Sequence, residues 1–112
     1  MPYDETFAAR LREIYSDEPD VVEKNMFGGI AFMVSGHMSC GVVGDTLMAR
    51  VGPDQYEECL AHEHAREMDF TGRPLRGFLF VAPEGTSTKT QLKTWVRRSM
   101  KFVTTLEPKE TP

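Results

Sequence analysis

Residues 30 to 51 decide the fold: Ile30-Ala31-Phe32-Met33-Val34, Ser35-Gly36, His37-Met38-Ser39-Cys40-Gly41-Val42-Val43, Gly44-Asp45, Thr46-Leu47-Met48-Ala49-Arg50-Val51. Three short apolar-rich runs are separated by two-residue turn signals, which reads as a meander of two tight hairpins. With two-residue loops, Val34 pairs with His37 and Val43 with Thr46, and the side-chain period of two then assigns every residue to a face. One face collects Ala31, Met33, Met38, Cys40, Val42, Leu47, Ala49 and Val51, apolar throughout and therefore the expected core face. The other collects Ile30, Phe32, Val34, His37, Ser39, Gly41, Val43, Thr46, Met48 and Arg50. Its apolar centre of Ile30, Phe32, Val34, Val43 and Met48 is the expected interface, since a two-layer fold leaves one side of its sheet uncovered.

Outward from the meander, helical and strand periods alternate. Before it, Asp4 is a candidate N-cap for a helix from Glu5 to Tyr15, with Phe7, Leu11, Ile14 and Tyr15 forming an amphipathic stripe. Pro19 ends that helix, and Val21-Val22 opens extended chain leading into Met26-Phe27-Gly28-Gly29. These glycines precede a strand, whereas phosphate loops place theirs after a strand and at a helix start. They read instead as a bulge or a close approach of backbones, with Phe27 anchoring the turn.

After the meander, Gly52-Pro53 opens a short helix with Tyr56, Cys59 and Leu60 facing inward. Glu67 to Phe70 alternates like a strand, Thr71-Gly72-Arg73-Pro74 turns, and Gly77 to Ala82 is a further strand. Thr88 and Gln91 have capping-box spacing for a last helix whose inner side carries Leu92, Trp95, Val96, Ser99, Val103 and Leu106 up to Pro108. The order α-β(3)-α-β(2)-α describes a single α+β domain over residues 1–112, a two-layer α/β sandwich with an antiparallel sheet.

The chain has 112 residues with 13 basic and 17 acidic side chains, a net charge of −4. Its longest purely apolar runs, Ile30 to Val34 and Phe78 to Ala82, are far shorter than the roughly 20 residues of a membrane-spanning helix. The acidic amino end lacks the features of a secretory signal, so a cytoplasmic location is expected. Cys40 and Cys59 fit reduced, buried thiols.

Five of the 13 basic residues lie on the last helix, where Lys89, Lys93, Arg97 and Lys101 recur at i+4 beside Arg98, with no acid between Gly85 and Leu106. That stripe is either a solvated outer face or an anion-binding surface for nucleic acid or an acidic partner. Arg50 reads either as half of an ion pair with a carboxylate such as Glu23 or Asp69, or as a reader of a small anionic ligand. Cys59, His62, Glu63 and His64 lack the second ligand pair that a structural zinc site needs, and no metal or cofactor is expected. No nucleophile elbow, paired catalytic carboxylates or dinucleotide fingerprint is present, so the chain does not read as an enzyme.

Lys24-Asn25-Met26-Phe27-Gly28-Gly29-Ile30-Ala31-Phe32 resembles the amino-terminal domain of the TfoX/Sxy family of bacterial competence regulators. The similarity extends through Gly36-His37-Met38, Gly41-Val42, Asp45 to Val51, Gly72-Arg73-Pro74-Leu75, Gly77-Phe78 and Trp95. It marks Lys24, Met26, Phe27, Gly28, Gly29 and Arg50 as signature positions. The resemblance implies a two-layer α/β fold similar to that of type III secretion chaperones. It also implies a bacterial, cytoplasmic protein without a catalytic motif. Longer members add a carboxy-terminal helical domain, which is not expected for this chain, and activate DNA-uptake genes together with a cyclic-AMP-receptor-type transcription factor. The leading expectation is a regulatory or adaptor domain that binds another protein, such as a transcription factor, or a second copy of itself. Nucleic-acid contact through the basic stripe and sensing of a small anion are the alternatives.

Overall fold

Asp4 caps the first helix, its carboxylate accepting the backbone N–H groups of Thr6 and Phe7 at 2.9 and 3.1 Å. This satisfies donors that the first helical turn leaves orphaned. The resulting helix α1 (Glu5–Tyr15) buries Phe7, Ala8, Leu11 and Tyr15. In the computed structural model, which describes residues 3–26, 28–69 and 75–107, the chain continues through four strands. These are β1 (Val21–Met26), β2 (Gly29–Val34), β3 (His37–Val43) and β4 (Thr46–Arg50). A short helix α2 (Tyr56–Leu60) follows, then β5 (Ala65–Glu67), β6 (Phe78–Val81) and helix α3 (Lys89–Val103). The capping box of α3 forms as its spacing predicts, with Gln91 N–H on Thr88 Oγ1 at 3.1 Å and Thr88 N–H on Gln91 Oε1 at 3.0 Å.

The sheet is antiparallel throughout, in the order β1-β2-β3-β4-β6-β5, with α1 and α3 packed on one side. The α+β class and the layered, antiparallel architecture are therefore those expected. One strand is added: residues 21–26, read only as extended chain, pair along their whole length with β2, Val21 opposite Val34 and Met26 opposite Gly29. Phe27, Phe70, the turn at 71–74 and Pro108 lie outside the described residues. No helix among the described residues is long and apolar enough to cross a membrane.

Both hairpins have their expected turns, yet β2 presents the opposite face. Val34 pairs with His37 and Met33 with Met38, but Phe32 pairs with Cys40 and Ile30 with Val42, because a bulge intervenes. Ser39 is the extra residue, and a bulge of this kind turns two successive side chains toward the same side. Ser39 and Cys40 both point into the helix-covered core, where Ser39 Oγ lies 2.6 Å from Tyr15 Oη and 2.7 Å from Ser99 Oγ. The slip carries Ile30, Phe32 and Val34 to the helix side, where Phe32 stacks on Tyr15 at 5.1 Å. Three of the five expected interface residues are thus core residues, at 6%, 1% and 6% exposure. Ala31, Met33 and Met38 take the opposite side instead.

Candidate functional site

The side of the sheet away from α1 and α3 holds a second apolar cluster rich in methionine. Ala31, Met38, Met48 and Met68 are its buried centre. Met26, Met33, Val43, Leu75, Phe78 and Phe80 surround them, each partly exposed. Strand alternation explains the membership: Met26, Met33, Met38, Val43, Met48, Phe78 and Phe80 all occupy positions of one parity once the Ser39 bulge is counted. Met68 and Leu75 reach the cluster from the β5–β6 connection, joined by a backbone hydrogen bond of 2.9 Å. Val43 and Met48 lie on this face as expected. Val43 is half-buried, whereas Met48 is sealed in the centre and cannot touch a partner directly.

Charge on this face has one sign. Lys24 stands beside Ala31 on the exposed strand β1. Arg50 lies opposite Phe78, and Arg66 opposite Phe80. The Arg66 guanidinium covers the Phe80 ring at 4.6 Å, and that of Arg50 lies 5.2 Å from Phe78 and 5.4 Å from Phe102. Cations held against aromatic faces keep their charge while stiffening the rim of the patch. The strand positions of this face carry no carboxylate, although the whole chain has a net charge of −4.

The ion pair considered for Arg50 is not made. Glu23 is on the other side of β1, bonded to Arg12 through Nε at 2.6 Å and Nη2 at 2.8 Å, and Asp69 is exposed. That bidentate pair holds the Glu23 carboxyl below its usual range and raises Arg12. Burial is what lowers the pKa of Arg50, with no charged partner contributing.

The signature glycines have distinct duties. Gly28 has φ +76° with open space around its α-carbon, so backbone conformation alone selects glycine there. At Gly29 a β-carbon would stand 1.9 Å from the Val42 carbonyl oxygen, so the two strands meet only because no side chain intervenes. Of the other signature residues, Lys24 and Arg50 edge the methionine-rich face and Met26 packs on it, while Phe27 lies outside the described residues.

Lys89, Lys93, Arg97 and Lys101 are all exposed on the outer side of α3. Lys89 Nζ approaches Glu13 Oε1 at 3.4 Å, and the other three make no ion pair among the described residues. Cys59 is buried in the core, away from an arrangement with His62 and His64, and no metal-holding group occurs among the described residues. A groove of about 400 Å³ between the α2–β5 connection and α3 is lined by His62, Glu63, His64, Trp95 and Arg98. Its indole is already faced by the His62 ring at 5.3 Å and the Arg98 guanidinium at 4.6 Å. The groove is on the helix side, apart from the one-sided charge of the sheet.

Arg66, Phe78, Phe80 and Met33 belong to this surface although no expectation from the sequence placed them there. Phe78 and Phe80 were accessible through their i, i+2 spacing on a strand, opposite in parity to Leu79 and Val81. Arg66 had no signal, because its strand is only three residues long.

A six-stranded antiparallel sheet, backed by helices on one side and carrying a cation-rimmed apolar surface on the other, defines a small α+β domain. The TfoX N-terminal domain family matches residues 13–103, and the chain belongs to that family. No curated protein and no solved structure is similar enough to count as a match.

Proposed function

We propose that this domain is a non-enzymatic, cytoplasmic adaptor of the TfoX type that binds another protein through the methionine-rich face of its sheet. The observation that carries this reading is the combination of a half-exposed apolar patch with a rim of Lys24, Arg50 and Arg66 and no acid at its strand positions. Unbranched methionine side chains adapt to irregular partners, and contiguous apolar surface of this kind marks interaction sites. The partner that fits is a protein segment with apolar side chains flanked by carboxylates, steered to the face by charge. Family membership supports placing that partner in the transcriptional control of competence genes.

Met33→Glu and Val43→Glu put a carboxylate on the face at half-buried positions. They are expected to abolish partner binding in a pull-down while leaving the melting temperature nearly unchanged. Retention of the same partner by both folded variants would overturn the reading.

The exposed α3 stripe supports a second reading, contact with nucleic acid. Neutralising Lys93, Arg97 and Lys101 would then weaken binding to any duplex and flatten its salt dependence. The absence of any retardation of DNA by the unaltered protein at low salt would remove it.

A further inference from the structure

Strand β1 ends the sheet, and no strand among the described residues pairs with its outer side. Its backbone polarity follows from one hydrogen bond. Ser35 N–H donates to Asp20 C=O at 3.0 Å, and in an antiparallel ladder alternate residues bond to the same neighbour. Residues 20, 22, 24 and 26 therefore turn their N–H and C=O groups inward to β2. Val21, Glu23 and Asn25 turn theirs outward as an unfilled ladder. On this same edge stands Val22, 63% exposed and the one large hydrophobic residue so exposed among the described residues.

We infer that this edge pairs with a second copy of the same chain, β1 against β1 in antiparallel fashion, joining two sheets into one. This inference goes beyond the adaptor reading and does not depend on it, since it uses the rim of the sheet rather than its face. A two-fold axis perpendicular to the sheet keeps the helices of both copies on one side and pairs residues of like parity. Four registers keep three or more residues of each strand paired, and the one centred on Asn25 leaves Val22 beyond the end of the opposing strand. Centring the axis on Lys24 sets Lys24 against its own copy, and centring it on Glu23 sets two carboxylates face to face. Like charges directly opposite each other destabilise a ladder. Centring the axis on Val22 avoids both. Val21 and Glu23 exchange backbone hydrogen bonds across the junction, Val22 packs on Val22 of the second copy, and Lys24 faces the Asp20 end of the opposing strand. The exposed valine is covered, opposite charges meet, and the methionine-rich faces of two copies become continuous.

The chosen register is testable by cross-linking, because Val22 opposes itself at a non-hydrogen-bonded position, where α-carbons lie about 4.5 Å apart and a disulfide can close. Cys40 and Cys59 are buried and do not compete. The mass by light scattering should rise with concentration toward twice the 12.7 kDa of one chain, and Val22→Lys should hold it at the single-chain value. On mild oxidation Val22→Cys should form a covalent dimer and Lys24→Cys should not. A single-chain mass at every concentration, with Val22→Cys remaining monomeric, would overturn the proposal, as would preferential cross-linking through Lys24→Cys. Loss of partner binding in Met33→Glu with dimerisation intact bears on the face alone. A monomeric chain that still binds its partner would defeat only the edge.

Discussion

The hydroxyl of Tyr15 lies 2.6 Å from that of Ser39, and this contact between α1 and a bulged strand residue marks the point where β2 changes face. Ser39 Oγ also meets Ser99 Oγ of α3 at 2.7 Å, so one bulge residue ties both long helices to the centre of the sheet. The thiol of Cys40 sits among the same three hydroxyls. An extra residue in β3 exchanges the faces of β2 relative to the straight hairpin, sending Ile30, Phe32 and Val34 inward and Met33 outward.

Removing members of this buried network should cost stability unequally. Tyr15→Phe leaves Ser39 and Ser99 bonded to each other and is expected to cost about 1 kcal/mol. Ser39→Ala takes away the hub and leaves the Tyr15 and Ser99 hydroxyls only the weakly bonding Cys40 thiol, for roughly 2 kcal/mol. Urea unfolding with a common slope measures both, and an equal or reversed order would contradict the hub role.

Burial pushes the Cys40 thiol up to about 11 from its ordinary 9.0, and it raises the Tyr15 phenol as well. Above pH 9 the unfolded chain releases the Cys40 proton while the folded chain retains it, so stability falls as pH climbs toward 11. The loss attributable to Cys40 is on the order of 2 kcal/mol, and Cys40→Ala should flatten the alkaline limb of a melting-temperature profile. In the native state Cys40 should resist thiol reagents until the chain unfolds.

The adjacent signature glycines should respond differently to one methyl group. Gly28→Ala meets no atom and carries only the cost of left-handed backbone, about 1 kcal/mol. Gly29→Ala drives a methyl into the Val42 carbonyl and must part β2 from β3, for roughly 3 kcal/mol or failure to fold. Thermal melts of the two variants check the order, and Gly28→Asn should recover part of the smaller loss.

Binding steered by Lys24, Arg50 and Arg66 should weaken as salt rises. Double replacement Lys24→Glu, Arg66→Glu should slow association more than it hastens dissociation, because rim charges act mainly on the encounter. Surface-plasmon kinetics at low and high salt read this directly. An association rate indifferent to salt and to the double replacement would argue against the cationic rim.

Local signals made most of the fold legible. The Asp4 cap, the Thr88–Gln91 capping box, both turns of the meander and the α3 stripe from Leu92 to Val103 formed as their residues dictate, whereas the helix ends at Val103 and leaves Leu106 half-buried in the turn beyond it. Cap and turn chemistry acts within a few residues, so the sequence displays it. The Ser39 bulge is different in kind. The bulged hydroxyl finds a partner on each of two helices, 24 and 60 residues away, which no local pattern shows. Parity counted straight through that bulge puts Ile30, Phe32 and Val34 on the wrong face. Val43 and Met48 kept their face because the β3–β4 register has no irregularity. The pairing of β1 was obscured by its composition, since an edge strand with Glu23, Lys24 and Asn25 in sequence has no alternation to detect.

The proposed role requires that the methionine-rich sheet face, and not the α3 stripe, meet the partner. The most direct measurement is in-cell photo-crosslinking with a benzophenone amino acid placed singly at Met33, Val43 or Lys93. Met33 and Val43 should give one and the same protein adduct, and Lys93 none. Adducts from Lys93 alone, with positions 33 and 43 silent, would contradict that role.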